Sequence, residues 1–388
     1  MQIPSWPQAG EREAELLRMV LESPQWGGFH PFVTEFEQSF ATYQHAAFGI
    51  SAFNGTVTLE LALTLLGIGP GDEVIVPAIS FISTATAVAR VGAVPVFVDI
   101  EEYSFNIDPE RVREAISSRT KALLAVHFGG AMCNVDELEA ICRQHSLFFI
   151  EDAAHAHGSE WNNRRAGSFG IAGSFSFQNG KVLCSGEGGM LVTSDESFAE
   201  RARSVANCGR IAGRSFYEHH RLGTNFRLTA FQAAVLLAQF EDLNEQIDTR
   251  TANAQFLKSE LSDRKEIVWQ YKPEAITRNS HYLLLGRLLP GAAVTRDEFH
   301  ARLGIAGVPC TPFYPHTLYQ NPVFQEVACR VMPCPVAEAC VRDAFWFPHR
   351  MLLADEETIS EIAKAIRSAV SKQGSESRLS APPAVSLR

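Results

Sequence analysis

Between residues 46 and 152 the chain repeats one pattern: a short apolar run, a turn, then a stretch with helical spacing. AAFGISAF (46–53) is followed by NGT and by the helical VTLELALTLLGI, which ends at Gly67. A strand at 73–77 in GPGDEVIVPA is followed by the helical ISFISTATAVARVGA. PVFVDI, KALLAVHF and SLFFIED supply three more apolar runs, with helices predicted over 109–117 and 135–144. Runs this short, and apolar along their length, suit strands buried on both faces, and the helices between them supply the crossovers that parallel strands require. The pattern predicts an α/β fold with a mostly parallel sheet covered by helices.

Outside that region the rhythm differs. Helices are predicted at 11–22 and about 33–43, separated by Trp26-Gly27-Gly28. After residue 181 come a strand at 189–193, a helix near 196–205, a polar loop around 208–224 and one long helix from about 229 to 257. HYLLLGRLL reads as a strand, and 296–304 and 356–371 as helices. These elements predict a large domain over 1–250, with its N-terminal helical segment 1–43, and a small C-terminal α+β domain over 251–371. Residues 372–388, rich in Ser and Pro with little to bury, are predicted to be disordered.

Composition narrows the function. The chain has 388 residues, 46% apolar and 20% charged, with a formal net charge of −10 and no long basic run. This argues against nucleic acid or an anionic membrane as the main partner. It leaves room for a phosphorylated ligand held by backbone amides. The eight cysteines are scattered without zinc-site spacing, so no metal is expected. No apolar run is long enough to span a bilayer, and the first residues lack the apolar core of a signal peptide, so a cytoplasmic location is expected.

Four pieces carry candidate chemistry. Asn54-Gly55-Thr56-Val57 lies between a strand and a helix, where free amides, a hydroxyl and a glycine suit a phosphate, though Thr56 as a plain N-cap with Gly55 before it has the same look. FFIEDAAHAHG (148–158) delivers Glu151 and Asp152 at the carboxyl end of a buried strand, with His155 close behind. A carboxylate there could hold a proton on a pyridine nitrogen; the alternative is a capping Asp with a packing His. GSFSFQNGKVLCSGEGGMLVT (173–193) holds a single lysine, Lys181, among small residues, with Ser174 and Ser176 as further phosphate contacts. A partly desolvated lysine attacks carbonyls and can form a Schiff base. Phe81, after the strand ending at Pro77, could lie against a flat ring or fill the core.

In order and spacing, LGIGPGDEVIVPA, GAVPVFVDIE, IEDAAHAHGS, SFSFQNGK, SGEGG and GTNFRLTAFQAA resemble the DegT/DnrJ/EryC1/StrS sugar aminotransferases over residues 10–370. The resemblance implies the aspartate-aminotransferase-like fold, fold type I of the enzymes that use pyridoxal 5′-phosphate. It implies that Lys181 carries the cofactor and then shuttles the proton, and that Asp152 pairs with the pyridine nitrogen. His155 would lie beside the phenolic oxygen, Phe81 would stack on the ring, and Gly55, Thr56, Val57 and Ser176 would hold the phosphate. Asn225 would reach the phosphate of a neighbouring subunit, so a homodimer with a shared site is implied.

The implied substrates are an amino donor, glutamine or glutamate, and a ring ketone, a keto-cyclitol or keto-sugar. Trp26 and Phe29 could wall the acceptor site, Arg227 could meet a donor carboxylate or form an interface ion pair, and His316 lies in a segment that would reach the site from the small domain. His281 and Tyr282, in RNSHY, are further candidates. SFSFQNGK, RNSHY and CPVAEACVRDAFWFPHRMLL resemble the scyllo-inosose aminotransferases and 3-amino-5-hydroxybenzoate synthase more than the nucleotide-sugar members, so aromatisation with loss of water is the rival chemistry. Related dehydratases carry His where Lys181 stands. A cofactor-binding regulator without turnover is the rival from another class, and retention of both Lys181 and Asp152 speaks against it.

Overall fold

The computed structural model describes residues 1–371; the tail at 372–388 lies outside the described residues. The alternating segment supplies five strands of an eight-stranded sheet, and Ala172–Ser176, Gly189–Thr193 and Arg330–Val331 complete it. From edge to edge its order is Phe48–Ala52, Gly189–Thr193, Ala172–Ser176, Phe148–Asp152, Thr120–Val126, Glu73–Pro77, Val94–Val98 and Arg330–Val331. From Ala172–Ser176 to the Arg330–Val331 edge every pairing is parallel, whereas Gly189–Thr193 runs antiparallel to both neighbours. The sheet is therefore mostly parallel, as its apolar runs predict.

Alternation along each strand feeds two cores. Ile75, Leu123 and Ala125 pack with Phe36 and Phe40 on one face, and Val74, Val76 and Leu124 with Leu59 and Leu63 on the other. Short polar side chains start the covering helices: the Asn54 carboxamide oxygen accepts from the Val57 amide at 3.0 Å, and Asp108, Asn134 and Asp195 cap their helices likewise. The chain winds from Glu73–Pro77 outward to Val94–Val98, then crosses back to Thr120–Val126 on the other side. Such a switch leaves a crevice at the carboxyl ends of the strands.

A four-stranded antiparallel sheet follows, in the order Ile267–Trp269, Leu283–Leu288, Ala344–Pro348, Thr311–Pro312. Phe299, Phe345, Phe347, Ile359 and Ile362 form its core with the surrounding helices. The sequence predicts only Leu283–Leu288 here: Ile267–Trp269 and Thr311–Pro312 are too short to show a period, and Ala344–Pro348, as long as the strands of the large sheet, lies outside their strand-turn-helix rhythm.

The single helix predicted from 229 to 257 is two helices, Ala230–Glu241 and Leu243–Glu260, broken at Asp242 (φ −94°, ψ −5°). The two halves bury different faces. The first packs on Glu11–Glu22 and Pro31–Tyr43, the second on His349–Leu353 and Glu356–Val370, and Asp is a weak helix former at the junction. The expected division at residue 250 falls inside Leu243–Glu260. Among the described residues no helix is long and apolar enough to cross a membrane.

Candidate active site

Strand ends converge on one crevice. Asn54 follows Phe48–Ala52, Ser80 and Phe81 follow Glu73–Pro77, and Val126, Asp152 and Ser176 end their own strands. With Lys181 and Tyr282 they line a cavity of about 460 Å³. Gly55, Thr56, Phe81, Asp152, His155, Ser176 and Lys181, all singled out in the sequence, meet there.

Adjacent carboxylates take opposite parts because successive side chains of a strand face opposite ways. Glu151 is fully buried away from the cavity and accepts from the amides of Gly167, Phe169 and Gly170 at 2.7–2.8 Å and pairs with His127 Nε2 at 2.9 Å. It is a structural clamp on the 167–170 turn. Asp152 faces the cavity. Its Oδ2 accepts from the Thr84 hydroxyl at 2.8 Å and its Oδ1 from the Ala154 amide at 3.3 Å, while Ser80 supports Thr84 at 2.7 Å. Burial pushes the Asp152 carboxyl above its usual range, against the lowering effects of Thr84 and the Lys181 cation.

Lys181 is buried, and its Nζ lies 4.5 Å from the centroid of the Tyr282 ring. His155 stacks on that same ring at 4.3 Å. Burial, helped by the nearby Lys181 cation, pushes His155 well below its usual range, so the imidazole is neutral. Its Nδ1 accepts from the Gly129 amide at 3.3 Å, which leaves the proton on Nε2.

At the other end of the cavity the Gly55–Leu65 helix begins. A Cβ on Gly55 would lie 3.0 Å from Ser176 Cβ and 3.1 Å from the Phe175 carbonyl oxygen, so glycine keeps this cradle open. Thr56 Oγ1 and Ser83 Oγ share a hydrogen bond of 2.7 Å at its rim. Two expected contacts are not available here. The Val57 amide is engaged by the Asn54 cap and Val57 lies outside the cavity lining; Ser174 is fully buried and shares its hydroxyl with Thr58 at 2.6 Å.

Other expected residues lie elsewhere in the chain. Phe29 and Arg227 line a separate, larger cleft of about 640 Å³ that also holds Arg203, Arg210, Arg214 and Arg221. There Arg227 donates to Asn207 Oδ1 at 2.8 Å and lies over the Phe29 ring at 5.4 Å. Trp26 is exposed and packs edge-on against Phe231. Asn225 is exposed, its Oδ1 accepting from the Arg227 amide at 3.3 Å. His316 is also exposed and outside the lining; Tyr314 of the same segment reaches the cavity instead, packed against Phe128 and Trp346. His281 is buried near Lys258, away from Lys181.

Thr84, Ser83 and Tyr314 are not among the residues the sequence points to. Only the position of Thr84 in the first turn of a helix that follows a strand end gives any signal. The lysine amine, the buried carboxylate and the glycine cradle at a helix N-terminus fit the aldehyde, the ring nitrogen and the phosphate of pyridoxal 5′-phosphate.

Residues 7–367 match the sequence model of the DegT/DnrJ/EryC1/StrS aminotransferase family. The chain is 38% identical over 384 residues to 3-amino-5-hydroxybenzoate synthase of Amycolatopsis mediterranei, covering 96% of this chain and 98% of that protein. It is 35% identical over 394 residues to the L-glutamine:2-deoxy-scyllo-inosose aminotransferase of Streptomyces lividus, covering 93% of each. A crystal structure of 3-amino-5-hydroxybenzoic acid synthase aligns with a TM-score of 0.90 at 37% identity, covering 95% of this chain and 98% of that one.

Proposed function

The chain belongs to the DegT/DnrJ/EryC1/StrS aminotransferase family, and we propose that it is a pyridoxal-phosphate-dependent aminotransferase that moves an amino group from glutamine or glutamate to a keto-cyclitol or keto-sugar. One observation carries this. Lys181 and Asp152 are buried in the same cavity, beside a helix N-terminus with the geometry for phosphate.

Pyridoxal phosphate, when bound, supplies an electron sink for the carbon next to the amino group. Asp152, aimed by Thr84 and the Ala154 amide, would keep the ring nitrogen protonated, because a buried carboxylate favours a cation beside it. The Lys181 amine would hold the cofactor covalently and, once free, carry the proton to and from the donor's α-carbon. Tyr282 gives that amine a resting place. Gly55, Thr56 and Ser176 would hold the phosphate, Phe81 would cover the ring at the mouth, and His155 Nε2–H would donate to the ring's oxygen.

The active unit is proposed to be a homodimer. Asn225 lies outside the cavity of its own chain, so it and the neighbouring Arg227 would serve a second copy. The proposed compartment is the cytoplasm, and the proposed division into large and small domains follows the two sheets.

Borohydride reduction and peptide mapping should place a pyridoxyl group on Lys181; labelling elsewhere, or none, rejects the assignment. The acceptor is tested with glutamine or glutamate against keto-cyclitols and keto-sugars, read by mass spectrometry. The 38% identity to a synthase sustains a second reading, in which amination is followed by loss of water and aromatisation. If only an amino-shikimate-type acid reacts, giving an aromatic amine, that second reading replaces the first. A bound cofactor that no amino donor converts spectrally would instead make the protein a regulator.

A further inference from the structure

Lys181 sits in a loop without regular secondary structure, and two side chains from distant parts of the sequence hold its backbone. Trp6, ahead of the first helix, donates its indole N–H to the Lys181 carbonyl at 3.0 Å. His349 donates from Nε2 to the Gly180 carbonyl at 3.1 Å; a carbonyl only accepts, so that nitrogen bears the proton. The two rings meet edge to face, 4.6 Å apart at 87°.

Trp6 is not on a loose end. Ile3 packs against the core of the C-terminal sheet and helices, the N-terminal ammonium pairs with Glu361 at 3.0 Å, and Arg350 donates to the Pro4 carbonyl at 2.9 Å. The guanidinium of Arg250, fully buried, lies 5.8 Å from the Trp6 ring centroid. Arg250 donates to Gln246 Oε1 at 3.0 Å, while its Nε and Nη1 have no partner among the described residues. A buried cation with so few acceptors is drawn to an aromatic face, and this helps fix the direction of the indole N–H. His349 in turn stacks on Tyr282 at 6.0 Å, the ring that carries the Lys181 amine.

We propose that Trp6 and His349 are positioning residues for Lys181: they hold the Gly180–Lys181 backbone still, so that the amine moves only by rotation of its own side chain. The proposal rests on Lys181 being the cofactor-bearing lysine. An amine that must first hold the cofactor and then move a proton works from two positions, and a drifting backbone would blur both.

The test compares the full-length protein with Trp6→Phe, which keeps a ring and loses the N–H. The cofactor-free proteins are mixed with pyridoxal phosphate, and the rate of covalent attachment is followed by absorbance and mapped after borohydride reduction. Loss of one hydrogen bond should slow attachment and kcat by about fivefold, with KM for the amino donor unchanged and the cofactor-free protein still fully folded at the assay temperature, its melting temperature lowered only slightly. His349→Leu should slow attachment similarly, and His349→Gln, which restores a donor, should recover most of the rate. Attachment by Trp6→Phe at the parent rate overturns the inference. So does a slowing fully accounted for by a smaller folded fraction, which would make Trp6 merely structural. Parent protein unlabelled at Lys181 rejects the functional assignment itself; label at Lys181 with an unaltered Trp6→Phe rate rejects only the role of Trp6.

Discussion

The Lys181 amine rests 4.5 Å from the centroid of the Tyr282 ring, although the two residues belong to different sheets' neighbourhoods. Lys181 follows the large sheet's strand Ala172–Ser176, and Tyr282 immediately precedes Leu283–Leu288 of the smaller one. The site is therefore a joint between the two sheets, and a relative shift of either would move the amine's resting place against Asp152.

Asp152→Asn should keep the cofactor and lose turnover. The amide can still accept from Thr84 but no longer favours a protonated ring nitrogen. The half-reaction with the amino donor, followed by absorbance in stopped flow, should slow by about 10²-fold or more, the scale of losing one proton-handling group. An unchanged half-reaction would remove Asp152 from this role.

The same substitution should stabilise the cofactor-free protein at neutral pH. Burial raises the folded-state pKa of Asp152. Between the unfolded carboxyl value of about 4 and that raised value, the folded chain retains a proton that the unfolded chain has released. Stability of the parent accordingly falls as pH rises through this interval and stays reduced above it, whereas Asn has no such slope. The gap in melting temperature between variant and parent should be wide near neutrality and shrink as pH falls toward the ordinary carboxylate range. A gap independent of pH would show that desolvation is not the governing cause.

Gly55→Ala should weaken cofactor binding. The added methyl would press on Ser176 Cβ and the Phe175 carbonyl at 3.0 and 3.1 Å, an overpacking that typically costs about 1–3 kcal/mol. Titration of the cofactor-free variant should give a Kd raised by roughly thirtyfold where the middle of that range, about 2 kcal/mol, falls wholly on the bound state. Binding as tight as in the parent would mean that the phosphate lies elsewhere.

Mixing inactive Lys181→Ala subunits with inactive Asn225→Ala subunits should restore activity. In such heterodimers one site has both an intact lysine and an intact partner asparagine. Confirmed heterodimers with no recovery would place Asn225 outside the partner's site.

The sequence by itself determined the five strands of the alternating segment and the order of the chemical motifs at their ends. Alternation and capping are local: buried apolar runs declare Glu73–Pro77 and Phe148–Asp152, and the Asn54-Gly55-Thr56 run declares a helix start, although the cap is Asn54 rather than Thr56 and the helix begins at Gly55, ahead of the predicted VTLELALTLLGI. It also brought Lys181 and Asp152 forward together. Tertiary structure decided what surrounds them. Tyr314 enters the cavity and His316 does not, though both lie in FYPHTLY, because the tyrosine is wedged against Phe128 and Trp346. Thr84 meets Asp152, and Trp6 meets Lys181, across separations of 68 and 175 residues. Trp26, Phe29 and Arg227 lie away from the cavity of their own chain for the same kind of reason. Periodicity and caps depend on neighbours within a few residues, so a sequence displays them. Contacts between remote segments depend on how whole elements pack, and no local pattern encodes which side chain the packing turns inward.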